Sequence, residues 1–216
     1  MKTILNEIIN HKLIAIVRGI ESTKMLNLVS SLKSGGISCI EVTFDHASIQ
    51  GIENTATSIR LIKEAFGEEI LLGAGTVLTP EQVDIAKQAG ASFVLSPNTD
   101  TSVIKRTKEL NMISMPGAFT PSEAAAAWNA GADIVKLFPI AQLGPAYIQA
   151  LKGPFSHMRF SAVGGVTEKN AAEFLKAGAC CLGIGGNLVS KKLIESGEFQ
   201  EITRLAKEYV QTIHNM

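Results

Sequence analysis

Two ionisable side chains stand inside apolar runs that leave little room for charge. Lys136 lies in IVKLFP (134–139) and Glu41 in CIEVTF (39–44). Successive side chains of a strand alternate between two faces. Val135 and Leu137 therefore share one face of their run, and Ile134, Lys136 and Phe138 share the other. In the second run Ile40, Val42 and Phe44 form the apolar face, which sets Cys39, Glu41 and Thr43 opposite them. Burial disfavours the ammonium form of a lysine. A neutral amine attacks a ketone and forms an imine; protonated, that imine is an electron sink that lets the adjacent C–C bond break. A carboxylate nearby can take the proton from a substrate hydroxyl and later return one to the enamine. Lysine plus glutamate is thus a minimal retro-aldol pair. The same residues would also serve as a buried ion pair that only fixes structure, or as a lysine snorkelling to a rim.

For the pair to meet, both runs must face one interior. Eight apolar runs punctuate the chain: 13–19, 39–44, 70–76, 93–97, 112–118, 134–139, 159–165 and 180–186. Helix signals separate them. Thr79-Pro80 and Thr120-Pro121 each join a capping residue to a proline at the first helical position, and Ser22 and Thr167 are expected to open two further helices. Gly35-Gly36, Gly90, Gly131 and Gly178 mark the stops. The runs are apolar throughout, as in parallel strands covered on both faces. The alternation predicts an α/β fold, a (β/α)8 TIM barrel formed by residues 1–216 as one domain, with an open doubly wound sheet as the competing architecture. MKTILNEIINHK reads as a short amphipathic helix ahead of the first strand.

Glycine pairs end the last two runs, Gly164-Gly165 in AVGGVT and Gly185-Gly186 in LGIGGN. Loops after strands seven and eight of such barrels commonly bind phosphate through backbone N–H groups and a helix N-terminus. Thr76 ends the third run in GAGTV; it offers a hydroxyl and an N–H, or simply caps the next helix. Arg18 ends the first run, where it can clamp a carboxylate or stand in solvent.

Composition excludes other classes. Twenty basic residues balance twenty acidic ones, with no basic patch for nucleic acid. No run reaches the roughly 18 apolar residues that span a bilayer. Cys39, Cys180 and Cys181 sit in apolar stretches, which suggests reduced buried thiols and a cytoplasmic protein. A catalytic thiol is the weaker reading, since no histidine has a natural pairing with them. His11, His46, His157 and His214 are scattered without metal-ligand spacing, so no metal is expected. Asp45-His46 is one weak pair at the end of the second run, and no dinucleotide fingerprint or other cofactor signal is present.

Taken in order, EVTF, GAGTVLTPEQ, FVLSPN, MPGAFTPSE, VKLFP, GPAYIQALKGPF and GGVT resemble the class I 2-keto-3-deoxy-6-phosphogluconate (KDPG) / 4-hydroxy-2-oxoglutarate (KHG) aldolase family along nearly the whole chain. The resemblance implies a homotrimeric barrel, without cofactor, that cleaves a 2-keto-3-deoxy-6-phospho sugar acid into pyruvate and glyceraldehyde 3-phosphate, or 4-hydroxy-2-oxoglutarate into pyruvate and glyoxylate. It implies that Lys136 forms the Schiff base and Glu41 is the general acid/base. By the same resemblance Thr76 lies near the pyruvate carboxylate, Pro97 and Phe138 wall the pocket, and Gly164, Gly165 and Gly186 form the phosphate turns.

Three positions depart from the gluconate pattern. Asp45 stands where many members carry an arginine, so Arg18 is expected to take over the carboxylate. Val163 stands for a threonine, a feature of the 2-keto-3-deoxy-6-phosphogalactonate branch, whose substrate differs at C4. Asn187 stands for a phosphate-binding serine and can still donate through its amide. A non-catalytic sugar-phosphate-binding barrel and a sugar-phosphate isomerase or epimerase are the readings from other classes.

Overall fold

The computed structural model describes residues 2–215. In chain order the elements are α1 (Lys2–His11), β1 (Leu13–Val17), α2 (Ser22–Ser34), β2 (Cys39–Thr43), α3 (Ile49–Phe66), β3 (Leu71–Gly75), α4 (Pro80–Ala89), β4 (Phe93–Leu95), α5 (Thr101–Glu109), β5 (Ile113–Met115), β6 (Gly117–Ala118), α6 (Pro121–Asn129), β7 (Val135–Leu137), α7 (Gly144–Lys152), β8 (Phe160–Val163), α8 (Ala171–Lys176), β9 (Ala179–Ile184), α9 (Lys191–Glu195) and α10 (Phe199–His214). Every strand pairing is parallel.

The strand order is β5-β4-β3-β2-β1-β9-β8-β7-β6. Its two ends, β5 and β6, are pieces of the single run 112–118. Pro116 lies between them and has no N–H for a ladder bond. The run therefore pairs with β4 through Ile113–Met115 and with β7 through Gly117 and Ala118. Carbonyls bridge the break: Lys136 N–H donates to Pro116 O at 2.8 Å, and Asp133 N–H to Ser114 O at 2.9 Å. The sheet closes on itself, which excludes the open doubly wound alternative. The architecture is a (β/α)8 barrel in which the fifth of the expected eight strands is split.

Alternation sorts the strand residues into two cores. Ile40, Val42, Phe44, Val135 and Leu137 join the apolar layer between sheet and helices. Ile14, Cys39, Phe93, Leu95, Ile113, Met115, Ile134 and Cys181 fill the barrel interior. Ile8 of α1 belongs to this interior set and is wholly buried, so the N-terminal helix closes one mouth of the barrel. Burying such a side chain stabilises by about 1.5–3 kcal/mol. Site-bearing side chains are thereby left to the other mouth, at the C-terminal strand ends.

The proline-started helices begin as expected. Thr79 accepts the Gln82 N–H, and Thr120 forms a capping box with Glu123. Two expected starts move. Glu21, not Ser22, holds the cap position of α2, without a side-chain bond. Thr167 opens a turn whose N–H donates to Asn170 Oδ1 at 2.8 Å, and α8 begins only at Ala171. The three cysteines are free thiols, Cys39 and Cys181 fully buried. Burial, reinforced by Glu41, pushes the Cys39 thiol far above its ordinary range, so it stays protonated and inert.

Candidate active site

A cavity of about 630 Å³ opens at the C-terminal mouth of the barrel. Twelve residues singled out from the sequence line it: Arg18, Glu41, Thr76, Pro97, Lys136, Phe138, Val163, Gly164, Gly165, Gly185, Gly186 and Asn187. Ile16, Val166 and Gly183 complete the wall. Ile16 is the register partner of Glu41 and Gly183 that of Val163, so the ladder would have revealed both once the pairing was known.

Glu41 reaches the cavity because its neighbours are small. Across the ladder stand Gly73, opposite Glu41, and Gly75, opposite Thr43. A methyl at Gly75 would overlap the Glu41 carboxyl group, and one at Gly73 would overlap the Phe93 ring. The glycines of β3 thus vacate the space these two side chains occupy. Glu41 is 1% exposed, and its Oε2 has no hydrogen-bond partner among the described residues. Burial raises its carboxyl above the ordinary range, a trend that Lys136 and then Arg18 oppose.

Lys136 is 5% exposed. Gly117 of β6 and Ser161 of β8 are its register partners. Its Nζ lies 4.9 Å from the centroid of the Phe138 ring, with no ion pair to Glu41 within 4 Å among the described residues. Burial holds its amine below the ordinary lysine range; the field of Glu41 opposes this and that of Arg18 adds to it. The ammonium has lost most of its water without a contact ion pair in return. This arrangement raises the share of neutral amine over that of a solvated lysine, and the neutral form is the state a nucleophile needs.

Arg18 extends over the same opening. Its Nη2 donates to the Thr76 hydroxyl at 3.1 Å. Thr76 does not cap α4, since Thr79 does; it sits at φ +55°, a left-handed conformation. Asp45 turns away: its Oδ1 accepts the Ala47 N–H at 3.0 Å, and it lines a separate cavity of about 410 Å³ beside α2 and α3. That second cavity has no lysine, arginine or histidine in its wall. Arg18 is therefore the guanidinium available to a carboxylate at the Lys136 cavity.

The glycine turns take left-handed backbone at Gly164 (φ +91°) and Gly165 (φ +82°). A methyl at Gly165 would overlap Ala141, whereas Gly185 and Gly186 face open space. No intramolecular bond engages the N–H of Gly165, Gly186 or Asn187 among the described residues. The Asn187 amide donates to Val166 O at 3.0 Å and so ties the two turns together. The expected helix N-terminus is not part of this cradle, because α8 and α9 start several residues later and are short. The turns themselves present the donors. Among the described residues, no group of three or more histidine, cysteine or acidic side chains is placed to hold a metal.

A closed (β/α)8 barrel with a desolvated lysine, a buried carboxyl and glycine turns with unengaged N–H groups among the described residues in one mouth has the parts of a Schiff-base aldolase. Comparison with known proteins makes the assignment narrower. Residues 4–205 match the KDPG and KHG aldolase family, and the chain belongs to it. It is 35% identical over 202 residues to a 2-dehydro-3-deoxy-6-phosphogalactonate aldolase of Escherichia coli K12, covering 93% of this chain and 96% of that one. It is 34% identical to a 2-dehydro-3-deoxy-phosphogluconate aldolase of Haemophilus influenzae, covering 94% and 92%. The KDPG aldolase of Legionella pneumophila, solved with pyruvate captured as a covalent carbinolamine intermediate, superimposes with a TM-score of 0.81 at 29% identity, covering 91% of this chain and 92% of that one. The protein is an aldolase, hence a lyase.

Proposed function

We propose that this chain cleaves a 2-keto-3-deoxy-6-phospho sugar acid to pyruvate and glyceraldehyde 3-phosphate through an imine on Lys136. The observation that carries the reading is the burial of Lys136 and Glu41 in one cavity without a contact ion pair. Lys136 attacks the C2 ketone, and the resulting carbinolamine loses water to give the iminium. Glu41, as carboxylate, takes the C4 hydroxyl proton, and C3–C4 breaks with the electrons held by the iminium as an enamine. The aldehyde leaves, Glu41 returns the proton to C3, and water releases pyruvate from the lysine. Arg18 and Thr76 hold the keto-acid carboxylate. Gly164, Gly165, Gly186 and Asn187 hold the phosphate, and Pro97 and Phe138 exclude water from the imine.

KDPG is the substrate we assign first, with 4-hydroxy-2-oxoglutarate as a shorter one. Val163 favours a second reading, the galactonate epimer, because an apolar wall replaces a hydroxyl beside C4 and an apolar wall discriminates weakly. A lactate-dehydrogenase-coupled assay on the two epimers and 4-hydroxy-2-oxoglutarate side by side separates these. Borohydride with pyruvate should add the ligand mass at Lys136; an adduct on another lysine, or none, sinks the mechanism. The reading also includes a cytoplasmic homotrimer. In support, the three cysteines are free and, among the described residues, no helix is long and apolar enough to cross a membrane. A monomeric mass in light scattering at micromolar concentration counts against the trimer.

A further inference from the structure

Thr76 is β-branched and left-handed at φ +55°, a conformation such a residue keeps only under constraint. Backbone bonds hold it on both sides, Phe44 N–H to Gly75 O at 2.8 Å and Val77 N–H to Leu95 O at 3.1 Å, and a side chain outside the cavity wall holds its own carbonyl. His46 Nε2 lies 2.7 Å from the Thr76 carbonyl oxygen. A carbonyl only accepts, so Nε2 carries the proton, and in the neutral ring Nδ1 must accept. Gln82 meets that need, its Nε2 donating to His46 Nδ1 at 3.4 Å. The Gln82 amide is itself oriented, since its Oε1 accepts the Leu78 N–H at 2.7 Å, and the residue is buried. On the other side, the Thr76 hydroxyl receives Arg18 Nη2. Hydrogen bonds thus converge on Thr76 from two sides, from the start of α4 through His46 to its carbonyl and from the guanidinium at the cavity rim to its hydroxyl.

We propose that His46 is a positioning residue for keto-acid binding: by holding the Thr76 carbonyl it aims the Thr76 hydroxyl, and with it Arg18, at the substrate carboxylate. The proposal rests on the aldolase reading above, in which that carboxylate binds at Thr76 and Arg18. His46 acts on the backbone of Thr76 and touches no reacting atom. The carboxylate is held alike in ground and transition states, so the loss of His46 weakens binding and leaves the chemical step unchanged.

The test compares wild type, His46→Ala and His46→Gln. Glutamine can bring an amide N–H to the place of the imidazole Nε2–H, and alanine cannot. Three quantities are read: the pyruvate concentration that half-saturates the borohydride-trapped adduct, KM and kcat for cleavage, and Tm. Loss of one hydrogen bond of ordinary strength predicts that His46→Ala raises the half-saturation point and KM about five- to tenfold. It should leave kcat within about twofold, and His46→Gln should recover most of the loss. Unchanged KM in His46→Ala overturns the proposal, as does a fall in kcat alone or a failure of glutamine to recover binding. A drop in Tm that accounts for the lost activity marks His46 as merely structural and overturns it too. Absence of any adduct in the wild-type enzyme overturns the aldolase reading itself, and this proposal with it.

Discussion

The Glu41 carboxyl group rests on the Cα of Gly75, in space that any side chain at 75 would fill. A strand glycine thus fixes how far a buried acid on the neighbouring strand enters the cavity. Gly75→Ala should displace the carboxyl by about an ångström, a shift that can cost about 10²-fold in rate. Steady-state kinetics should show the loss in kcat, with pyruvate trapping at Lys136 retained. A Gly75→Ala enzyme with wild-type kcat would mean that Glu41 has room to spare or no part in the reaction.

Glu41→Gln separates catalysis from stability. The folded carboxyl is raised above its ordinary value of 4.5, chiefly by burial. Below 4.5 both folded and unfolded states are protonated, and ionisation costs nothing. Above the folded value both are ionised, and the buried charge lowers stability in full. Glutamine removes that cost. The Tm difference between variant and wild type should therefore increase from pH 4 to pH 8, by roughly 2–4 °C for each kcal/mol relieved, while cleavage is nearly abolished. Thermal melts at the two pH values check this; a variant less stable at pH 8 than at pH 4, relative to wild type, contradicts it.

The pH dependence of imine formation follows from Lys136. Its amine is held below the ordinary 10.5. The neutral fraction falls about tenfold per unit below the folded value and is constant above it. Rapid-quench trapping of pyruvate should therefore reach a plateau below pH 10.5. A rate still climbing tenfold per unit at about pH 10 would mean an ordinary solvated lysine.

The two glycine turns should respond differently. Gly165→Ala meets both a left-handed φ and Ala141, so it should destabilise by about 1–3 kcal/mol. Gly186 faces open space without a left-handed φ. Gly186→Ala should fold with an unchanged Tm and raise KM for the 6-phosphorylated acids by about tenfold, while 4-hydroxy-2-oxoglutarate is unaffected. Equal effects on both substrates would remove the phosphate from this turn.

Several features were legible in residue order alone. Strict two-residue alternation pointed Lys136 and Glu41 to the same interior, because Val135, Leu137, Ile40, Val42 and Phe44 had to face the helices. Paired glycines at two strand ends marked turns that line the cavity. The same alternation puts Asp133 on the face of Val135 and Leu137, opposite Lys136; it pairs with Lys108 at 2.5 Å and accepts the Ser114 N–H, away from the cavity. All of these follow from local geometry, which a run of residues carries within itself.

Other features depended on contacts between distant segments. Pro116 in a seven-residue run does not announce that its two halves pair with different strands and so close the barrel. Nothing around Gly75 says that Glu41 needs its space, since the two meet only through the β2–β3 register. Asp45-His46 looked like an incidental pair; only the packing of α4 beside β2 and β3 brings His46 between Gln82 and the Thr76 carbonyl while Asp45 turns to its own loop. The sequence by itself determined which faces are buried and which side chains enter the barrel, because alternation and turn chemistry are properties of short segments. Tertiary structure decided how those side chains are spaced, desolvated and aimed, because distance and burial arise only when separate segments close around one another.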